Sequence, residues 1–311
     1  MDIVDHILIG DKRSIARSIS IIDDGDPLSH EILKKIYHKT GKAITIGFTG
    51  PGGAGKSTLI GNLIPHFKNL GYKIAILAVD PTSPITGGAI LGDRVRMQST
   101  MDDEDIFMRS FGSRGTLGGI SKSLRNAIRI LDAAGYTLIL VESVGAGQLE
   151  VEISKVVNLT MVVFNPNTGD NIQAVKAGLT EVGDIYIVNK SDLEGSETLY
   201  LSLLELIGET FRKPLIVKTS TKTGDGLQDL CSKVDNIIKS NEWILKQKQN
   251  QKQVLYDELK EMVLEKVKQK TLEVFKLKNQ QINELLDAML YKIKDPYTAS
   301  EELSLLVFSN K

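Results

Sequence analysis

GPGGAGKS, at residues 50–57, sets the fold class of this chain, because it completes the pattern G-x-x-x-x-G-K-S. A short apolar run with β-branched residues precedes it at 43–49 and indicates a buried strand. Apolar residues at helical spacing follow it over 57–70. Strand, glycine loop and helix in this order are the context in which such a loop binds phosphate. The sequence therefore predicts an anion site where backbone N–H groups converge at a helix N-terminus.

The polar residues at the end of this loop have predicted roles of their own. Lys56 is expected to neutralise the β and γ phosphates, and the hydroxyl of Ser57 to ligate Mg²⁺. Phosphate loops of this kind serve ATPases, kinases and GTPases alike, so a second motif must identify the base. The predicted phosphate-binding residues are Gly50, Pro51, Gly52, Gly53, Ala54, Gly55, Lys56 and Ser57.

Composition excludes several classes of protein. The chain has 311 residues, of which 41% are hydrophobic and 25% charged, as in ordinary globular domains. A net charge of −1 argues against broad electrostatic binding to nucleic acid or to an anionic membrane. No apolar run is long enough to span a membrane, and the N-terminus lacks the features of a signal peptide. With Cys231 as its single cysteine, expected to be buried, the chain is predicted to be cytoplasmic.

Strand and helix patterns alternate through the middle of the chain, which indicates an α/β fold with a mostly parallel sheet between helices. We expect an N-terminal helical extension at 1–40, a nucleotide domain at 41–240 and a C-terminal helical arm at 241–311. Ligands of such sheets bind at the carboxyl ends of the strands. The predicted strands are 43–49, 73–79, 106–109, 137–142, 159–164, 185–189 and 215–218, and the predicted helices of this domain are 56–70, 118–134, 172–178, 196–211 and 227–240.

Both ends of the chain are predicted to be helical. One apolar stripe runs from Ile3 to Ile22, and a second helix is expected to follow Asp26 and Pro27. Residues 242–293 are rich in Lys, Gln, Glu and Leu and predict one long amphipathic helix. Its apolar stripe must be buried on the nucleotide domain or on a second copy of the chain, and we favour the second copy. The stripe consists of Leu255, Leu259, Met262, Val263 and Val267.

A base-recognition motif follows the sixth predicted strand. Residues 189–192 read NKSD, which matches the N-K-x-D pattern of GTPases. The carboxylate of Asp192 would accept from the ring N–H and the amine of guanine, whereas adenine would leave it unpaired at a cost of about 1–3 kcal/mol. GTP is therefore the predicted ligand. The predicted base-binding residues are Asn189, Lys190, Asp192, Leu193, Thr219, Ser220 and Thr221, with Lys190 also bracing the phosphate loop.

Acidic residues near other strand ends are candidates for a Mg²⁺ site, because hard cations prefer oxygen ligands. Glu142 ends the fourth strand, and Gly145 is placed to sense the γ-phosphate. Asp80 and Asp93 both remain candidates for the metal or its waters. The predicted catalytic residues are Lys56, Glu142 and Gln148, the last as a residue that orients the attacking water or faces a partner. Arg94, Arg96, Arg109 and Arg114 are further candidates for contact with phosphate or a partner. The four histidines are dispersed, so a His/Cys metal centre is not expected.

Several long segments together resemble the MeaB/ArgK family of GTPases, the methylmalonyl-CoA mutase-associated proteins that are also called lysine/arginine/ornithine transport kinases. The resemblance rests on GPGGAGKSTL, LAVDPTSPITGGAILGDRVRM, RGTLGG, ESVGAGQLE, GDNIQAVKAGLTEVGDI and NKSD. It extends from about residue 26 to 240. It implies a SIMIBI-type phosphate-loop fold with helical extensions and a homodimer formed by the C-terminal arm.

The resemblance also implies a function. Members of the family act as chaperones of an adenosylcobalamin-dependent acyl-CoA mutase, and GTP binding and hydrolysis gate delivery of the cofactor. By resemblance, Thr58 joins the phosphate and Mg²⁺ ligands, and Asp93 and Glu142 serve the metal. The residues implied to pass the nucleotide state to the mutase are Asp170, Gln173 and Lys176. Departures at Ser143, Ala146, Leu149 and Thr180 leave the identity of the mutase open.

Two other functions are alternatives for this sequence, the first of which shares its general fold. A metal-insertion GTPase would need His- or Cys-rich ligands, which the sequence lacks. A nucleotide-dependent kinase or ATPase linked to lysine/arginine/ornithine transport would bind ATP without preferring GTP, and Asp192 argues against that.

Overall fold

A computed structural model of the chain describes residues 2–81, 106–113, 119–143, 148–167, 182–208 and 214–308. The chain forms two compact units, Met1–Ile237 and Ile238–Lys311. Of the predicted elements, the helix at 172–178 lies outside the described residues. No helix in the described ranges is long and apolar enough to cross a membrane.

A parallel sheet forms the centre of the first unit. Within the described residues, seven strands lie in the order β3-β2-β4-β1-β5-β6-β7, and every neighbouring pair is parallel. The prediction of a mostly parallel α/β sheet is therefore confirmed. The strands are β1 (Ile44–Thr49), β2 (Ile74–Pro81), β3 (Phe107–Ser113), β4 (Leu138–Ser143), β5 (Leu159–Phe164), β6 (Ile185–Val188) and β7 (Leu215–Lys218).

Helices cover both faces of this sheet. One face packs Phe48, Leu140 and Val163 against apolar residues of α4 and α8, and the other packs Leu77 and Val141 against α1, α2, α3 and α5. Because the strands are buried on both faces, their sequences are nearly continuous apolar runs. The helices of this unit are α1 (Ile3–Leu8), α2 (Lys12–Asp23), α3 (Leu28–Ile36), α4 (Lys56–Asn69), α5 (Gly119–Ala133), α6 (Gln148–Ser154), α7 (Ser196–Gly208) and α8 (Leu227–Lys239), with a 3₁₀ turn at Tyr37–Lys39.

The residues of the predicted N-terminal stripe pack into one apolar cluster, but they lie on two helices, α1 and α2. Gly10 has a φ of 83°, which ends α1, and the carboxylate of Asp11 caps α2 by accepting from the Ser14 amide at 2.8 Å. Arg109 of β3 donates to the Ala16 carbonyl at 2.9 Å and to the Ser20 hydroxyl at 2.7 Å. These bonds attach α2 to the edge strand. They engage the guanidinium group of Arg109, which was one of the arginines considered for phosphate contact.

Strand β3 is longer than its sequence predicts. After its apolar start at Phe107 and Met108, only Phe111 is a large apolar residue, so the strand pattern is weak there. The pairing with β2 nevertheless continues as far as Pro81 opposite Ser113. Backbone hydrogen bonds to a buried neighbour, not side-chain alternation, therefore extend this strand.

The second unit contains α9 (Asn241–Leu277), α10 (Asn279–Leu290) and α11 (Pro296–Phe308). The prediction of one helix over 242–293 is wrong, because the helix is interrupted at Lys278. This interruption allows α10 and α11 to pack beside α9. Ile282 of α10 and Ala299 and Val307 of α11 are buried. No residue of α9 is buried, and Leu259 of the predicted apolar stripe is 62% exposed.

Candidate nucleotide site

The predicted site residues lie at the carboxyl edge of the sheet. The register pairs Phe48 of β1 with Glu142 of β4, and Val188 of β6 with Lys218 of β7, so the segments that follow these strands meet at one edge. The phosphate loop follows β1 there, between Thr49 and the start of α4 at Lys56. Sequence elements far apart in the chain are thus assembled by the parallel topology.

Two glycines of the loop are required by close packing as well as by backbone conformation. Gly50 has a φ of 134°, and a Cβ there would collide with the carbonyl oxygen of Val163. Gly55 has a φ of 89°, and a Cβ there would lie 2.6 Å from Nδ2 of Asn189. Both conformations are ones that residues with side chains rarely adopt. The loop therefore fits this site only with glycine at these positions.

Two side chains that follow β6 hold carbonyl groups of the loop. Nδ2 of Asn189 donates to the Ala54 carbonyl at 3.0 Å, and Nζ of Lys190 donates to the Gly53 carbonyl at 3.1 Å. The predicted contact of Lys190 with the loop is therefore confirmed. Because a planar trans peptide directs its N–H opposite to its C=O, holding the Ala54 oxygen orients the Gly55 amide away from Asn189.

Lys56 is held within the loop that it follows. Its Nζ donates to the Gly50 carbonyl at 2.7 Å and to the Pro51 carbonyl at 3.1 Å, and the residue is only 7% exposed. A buried ammonium group at a helix N-terminus attracts anions strongly, since both its charge and the helix dipole are positive there.

Ser57 and Glu142 form a short, buried side-chain hydrogen bond in the site. The Ser57 hydroxyl donates to Oε1 of Glu142 at 2.5 Å, and the residues are 8% and 1% exposed. A hydroxyl and a carboxylate side by side are the hard oxygen donors that Mg²⁺ prefers, so the donor set fits this ion. The described ranges, which exclude Asp93, contain no group of three or more His, Cys, Asp and Glu side chains that could hold a metal ion.

The remaining predicted residues near the phosphates are described in part or not at all. Asp80 lies at the carboxyl end of β2, beside the end of β4, but its side chain is outside the described set. Gln148 begins α6, and its side chain is likewise not described. The residues wholly outside the described ranges are Asp93, Arg94, Arg96, Arg114, Gly145, Asp170, Gln173 and Lys176.

Hydrogen bonds connect the two predicted guanine-binding segments, 189–193 and 219–221. The Ser220 hydroxyl donates to Oδ1 of Asp192 at 2.6 Å, and this bond holds the pKa of the Asp192 carboxyl below its usual value. The Thr219 hydroxyl donates to Oδ1 of Asn189 at 3.3 Å. Ser220 and Thr219 are fully buried, whereas Asp192 is exposed. The buried Ser220 hydroxyl thus orients an ionised carboxylate on an exposed residue, as recognition of two base donors requires.

Backbone hydrogen bonds determine which amide of residues 219–221 can donate to a guanine carbonyl. The Thr219 amide donates to the Val188 carbonyl at 2.9 Å, and the Ser220 amide donates to the Asp225 carbonyl at 3.0 Å. Within the described part of the chain, the Thr221 amide has no such acceptor. Of the three residues predicted for this contact, Thr221 therefore offers the donor.

Sequence reasoning assigned no structural role to two buried polar residues at this edge. Asn165 follows β5 and is 1% exposed, and its Nδ2 donates to the Gly53 carbonyl at 3.0 Å. Ser143 ends β4 and donates to the Phe48 carbonyl at 3.3 Å. Both follow long apolar runs at the functional edge of the sheet, and that position was the available signal. Cys231 is buried as predicted, and burial raises the pKa of its thiol to about 12.

Comparison with known proteins shows which family of nucleotide-binding proteins the chain belongs to. The family profile described as "Methylmalonyl Co-A mutase-associated GTPase MeaB" matches residues 15–275. The chain belongs to the MeaB family of GTPases. A Pyrococcus horikoshii protein whose name describes it as a GTPase is 39% identical over 307 residues, covering 96% of each chain. The mouse mitochondrial methylmalonic aciduria type A homolog is 30% identical over 244 residues, covering 71% of this chain and 59% of its own.

A solved structure supports the fold assignment. The crystal structure of an LAO/AO transport system kinase superposes with a TM-score of 0.68 at 22% identity, covering 99% of this chain and 97% of that one. The phosphate-loop NTPase fold is therefore confirmed. As a member of the MeaB family, the chain is a GTPase.

Proposed function

We propose that this GTPase is a nucleotide-switched chaperone that gates adenosylcobalamin loading of an acyl-CoA mutase, such as methylmalonyl-CoA mutase, and protects that enzyme. The observation that carries the proposal is the match of residues 15–275 to the mutase-associated family, which includes the phosphate loop and the guanine motif. The mouse relative named for methylmalonic aciduria supports the same partner. The proposal places the protein in the cytoplasm, without nucleic acid or membrane as a partner.

The nucleotide site of this proposal follows from the contacts at the sheet edge. Residues 50–58 bind the phosphates, and Lys56 neutralises their charge. Ser57 and Glu142, together with Asp80 or Asp93, would hold Mg²⁺, which would supply positive charge to offset that of the phosphates. Gly145 and Gln148 are assigned to the γ-phosphate and the attacking water. Asn189, Lys190, Asp192, Leu193 and 219–221 bind guanine, and Asp170, Gln173 and Lys176 report the nucleotide state to the mutase.

Nucleotide-dependent capture of a mutase tests the proposal. The immobilised chain is incubated with an adenosylcobalamin-dependent methylmalonyl-CoA mutase in the presence of GDP or of a non-hydrolysable GTP analogue. We expect the amount of mutase retained to differ between the two nucleotides. A Lys56→Ala chain serves as the control, because without bound nucleotide both conditions should retain the same amount. Absence of capture with either nucleotide would contradict the chaperone proposal.

The proposal includes a homodimer formed through α9. This helix has 37 residues, which is about 55 Å, and its apolar side chains are exposed along that length. Leu259, Met262 and Val263 are 62%, 46% and 52% exposed. An apolar surface of this kind marks an interaction site, and a second copy of the helix offers a matching one.

Replacing Leu259 with glutamate is expected to dissociate the dimer. Each Leu side chain buried at an interface contributes about 1.5–3 kcal/mol, and a twofold interface loses it twice, so we expect dimer affinity to fall by at least about 100-fold. Gln251→Glu adds the same charge to an exposed polar position of α9 and is the matched control. Sedimentation velocity measures the result. A Leu259→Glu chain that sediments like the unaltered dimer would remove this surface of α9 from the assembly.

A further inference from the structure

Asn165 connects the end of β5 to the phosphate loop of β1, although it belongs to none of the GTPase motifs. It is 1% exposed, and its Nδ2 donates to the Gly53 carbonyl at 3.0 Å. Its Oδ1 accepts from the Asn167 amide at 2.8 Å. Since the next residue is Pro166, the backbone of Asn165 is restricted to extended conformations, which maintains the direction of β5. The side chain is therefore held at both of its polar ends.

The carbonyl oxygen that Asn165 binds is held by a second donor. Nζ of Lys190 reaches the same Gly53 oxygen at 3.1 Å, so both lone pairs of that oxygen have partners. The other end of the same peptide unit is also bonded, because the Ala54 amide donates to the Pro51 carbonyl at 3.2 Å. The plane of the peptide between Gly53 and Ala54 is thus fixed from the ends of β5 and β6 and from within the loop.

The orientation of this peptide matters for anion binding. A carbonyl oxygen that turned toward the ligand side of the loop would repel phosphate and would displace the N–H groups that bind it. Loss of one of the two donors allows that rotation, and binding must then order the loop again. Preorganisation of this kind contributes to affinity without any contact between the residue and the ligand.

We infer that Asn165 is a positioning residue for phosphate binding, acting through the Gly53 carbonyl. The inference rests on the proposed nucleotide site and adds to it a residue outside the phosphate loop. Only a side chain with a donor and an acceptor on one planar group can bind both the Gly53 oxygen and the Asn167 amide. Asparagine meets this requirement, whereas aspartate would place a second oxygen against the Gly53 carbonyl.

Asn165→Ala is expected to raise the KM for GTP and the Kd for GDP about tenfold, which is 1.4 kcal/mol. Because the lost contribution is the same for bound substrate and transition state, kcat should remain within about twofold of its original value. The ratio of GDP to ADP affinity should also be unchanged, since Asp192 and Ser220 keep their contact. A residue that only stabilised the fold would lower the active fraction and leave KM unchanged.

Asn158 provides the matched control, because it lies just before β5, at the opposite edge of the sheet. Its Oδ1 accepts from the amide and the hydroxyl of Thr45 at 2.9 and 2.8 Å. Asn158→Ala removes side-chain bonds between the same two strands, so we expect a lower Tm with an unaltered KM. The inference is overturned if Asn165→Ala leaves KM unchanged, or if both variants raise KM equally.

Asn165→Asp keeps the test decisive if the alanine variant does not fold. It is isosteric and still accepts from the Asn167 amide, but it cannot donate to Gly53, so KM should again rise at least about tenfold. The unaltered chain is titrated with GDP in parallel. If it binds no GDP, the proposed nucleotide site fails. If it binds GDP and the folded Asn165→Asp variant has an unaltered KM, only the positioning role of Asn165 fails.

Discussion

Lys56→Ala is expected to abolish measurable GTP turnover and to weaken nucleotide binding strongly. The ammonium group is buried in the loop, within hydrogen-bond distance of the Gly50 and Pro51 carbonyls. Removing one partner of a buried charge pair costs about 2–5 kcal/mol, which is about 30-fold to 5,000-fold in affinity. Turnover loses more, because charge on the phosphates must also be neutralised in the transition state.

The measurement combines GDP titration with a phosphate-release assay under GTP saturation. Lys68→Ala is the control, because Lys68 lies about three turns further along α4 and is partly exposed. Thermal unfolding without nucleotide shows whether each variant is folded. Turnover of a folded Lys56→Ala chain at the original rate would exclude the loop as the catalytic site.

Asp192→Asn is the second substitution with a large expected effect, and its effect is selective. The ionised carboxylate is oriented by the Ser220 hydroxyl at 2.6 Å and is predicted to accept from two donors of guanine. An amide would direct its own N–H groups at one of those donors. Hydrogen bonds to charged groups contribute about 1.5–3 kcal/mol each, so GTP affinity should fall by at least about 100-fold. ATP affinity should change little.

Xanthosine triphosphate supplies the complementary test, because it presents a carbonyl where guanine presents an amine. The Asp192→Asn variant offers an N–H to that carbonyl and should bind this nucleotide more tightly than the unaltered chain does. Asp229→Asn is the control, because Asp229 is an exposed carboxylate paired with Lys233 on α8. Equal loss of GTP and ATP affinity in the Asp192 variant would contradict the assignment of guanine recognition.

The central fold was predictable because its physical signals are local. Strands buried on both faces have continuous apolar sequences, and each predicted strand corresponds to an observed one. The prediction was incomplete where local signals conflict with tertiary packing. The second half of β3, where Phe111 is the only large apolar residue, is a strand because β2 pairs with it, and α9 ends at Leu277, just before α10 begins at Asn279. The turn at Gly10, followed by the capping residue Asp11, was a local signal that could have separated α1 from α2.

The site was predictable to the extent that motifs encode it. The loop and NKSD segments lie together as their chemistry requires, with Asn189 and Lys190 bonded to the loop. Asn165 could not be predicted in the same way, because its partner Gly53 is 112 residues away and is reached only through the pairing of β1 with β5. Contacts of this kind depend on strand order, which no motif states.

The measurement that tests the account most directly is calorimetric titration of the unaltered chain with GTP and with ATP in the presence of Mg²⁺, under conditions that limit hydrolysis. An Asp192 carboxylate without a matching ring donor costs about 1–3 kcal/mol, so GTP should bind at least about fivefold more tightly than ATP. Omitting Mg²⁺ should weaken GTP binding, since Ser57 and Glu142 then lack the ion they are proposed to hold. Equal affinity for the two triphosphates would contradict the account.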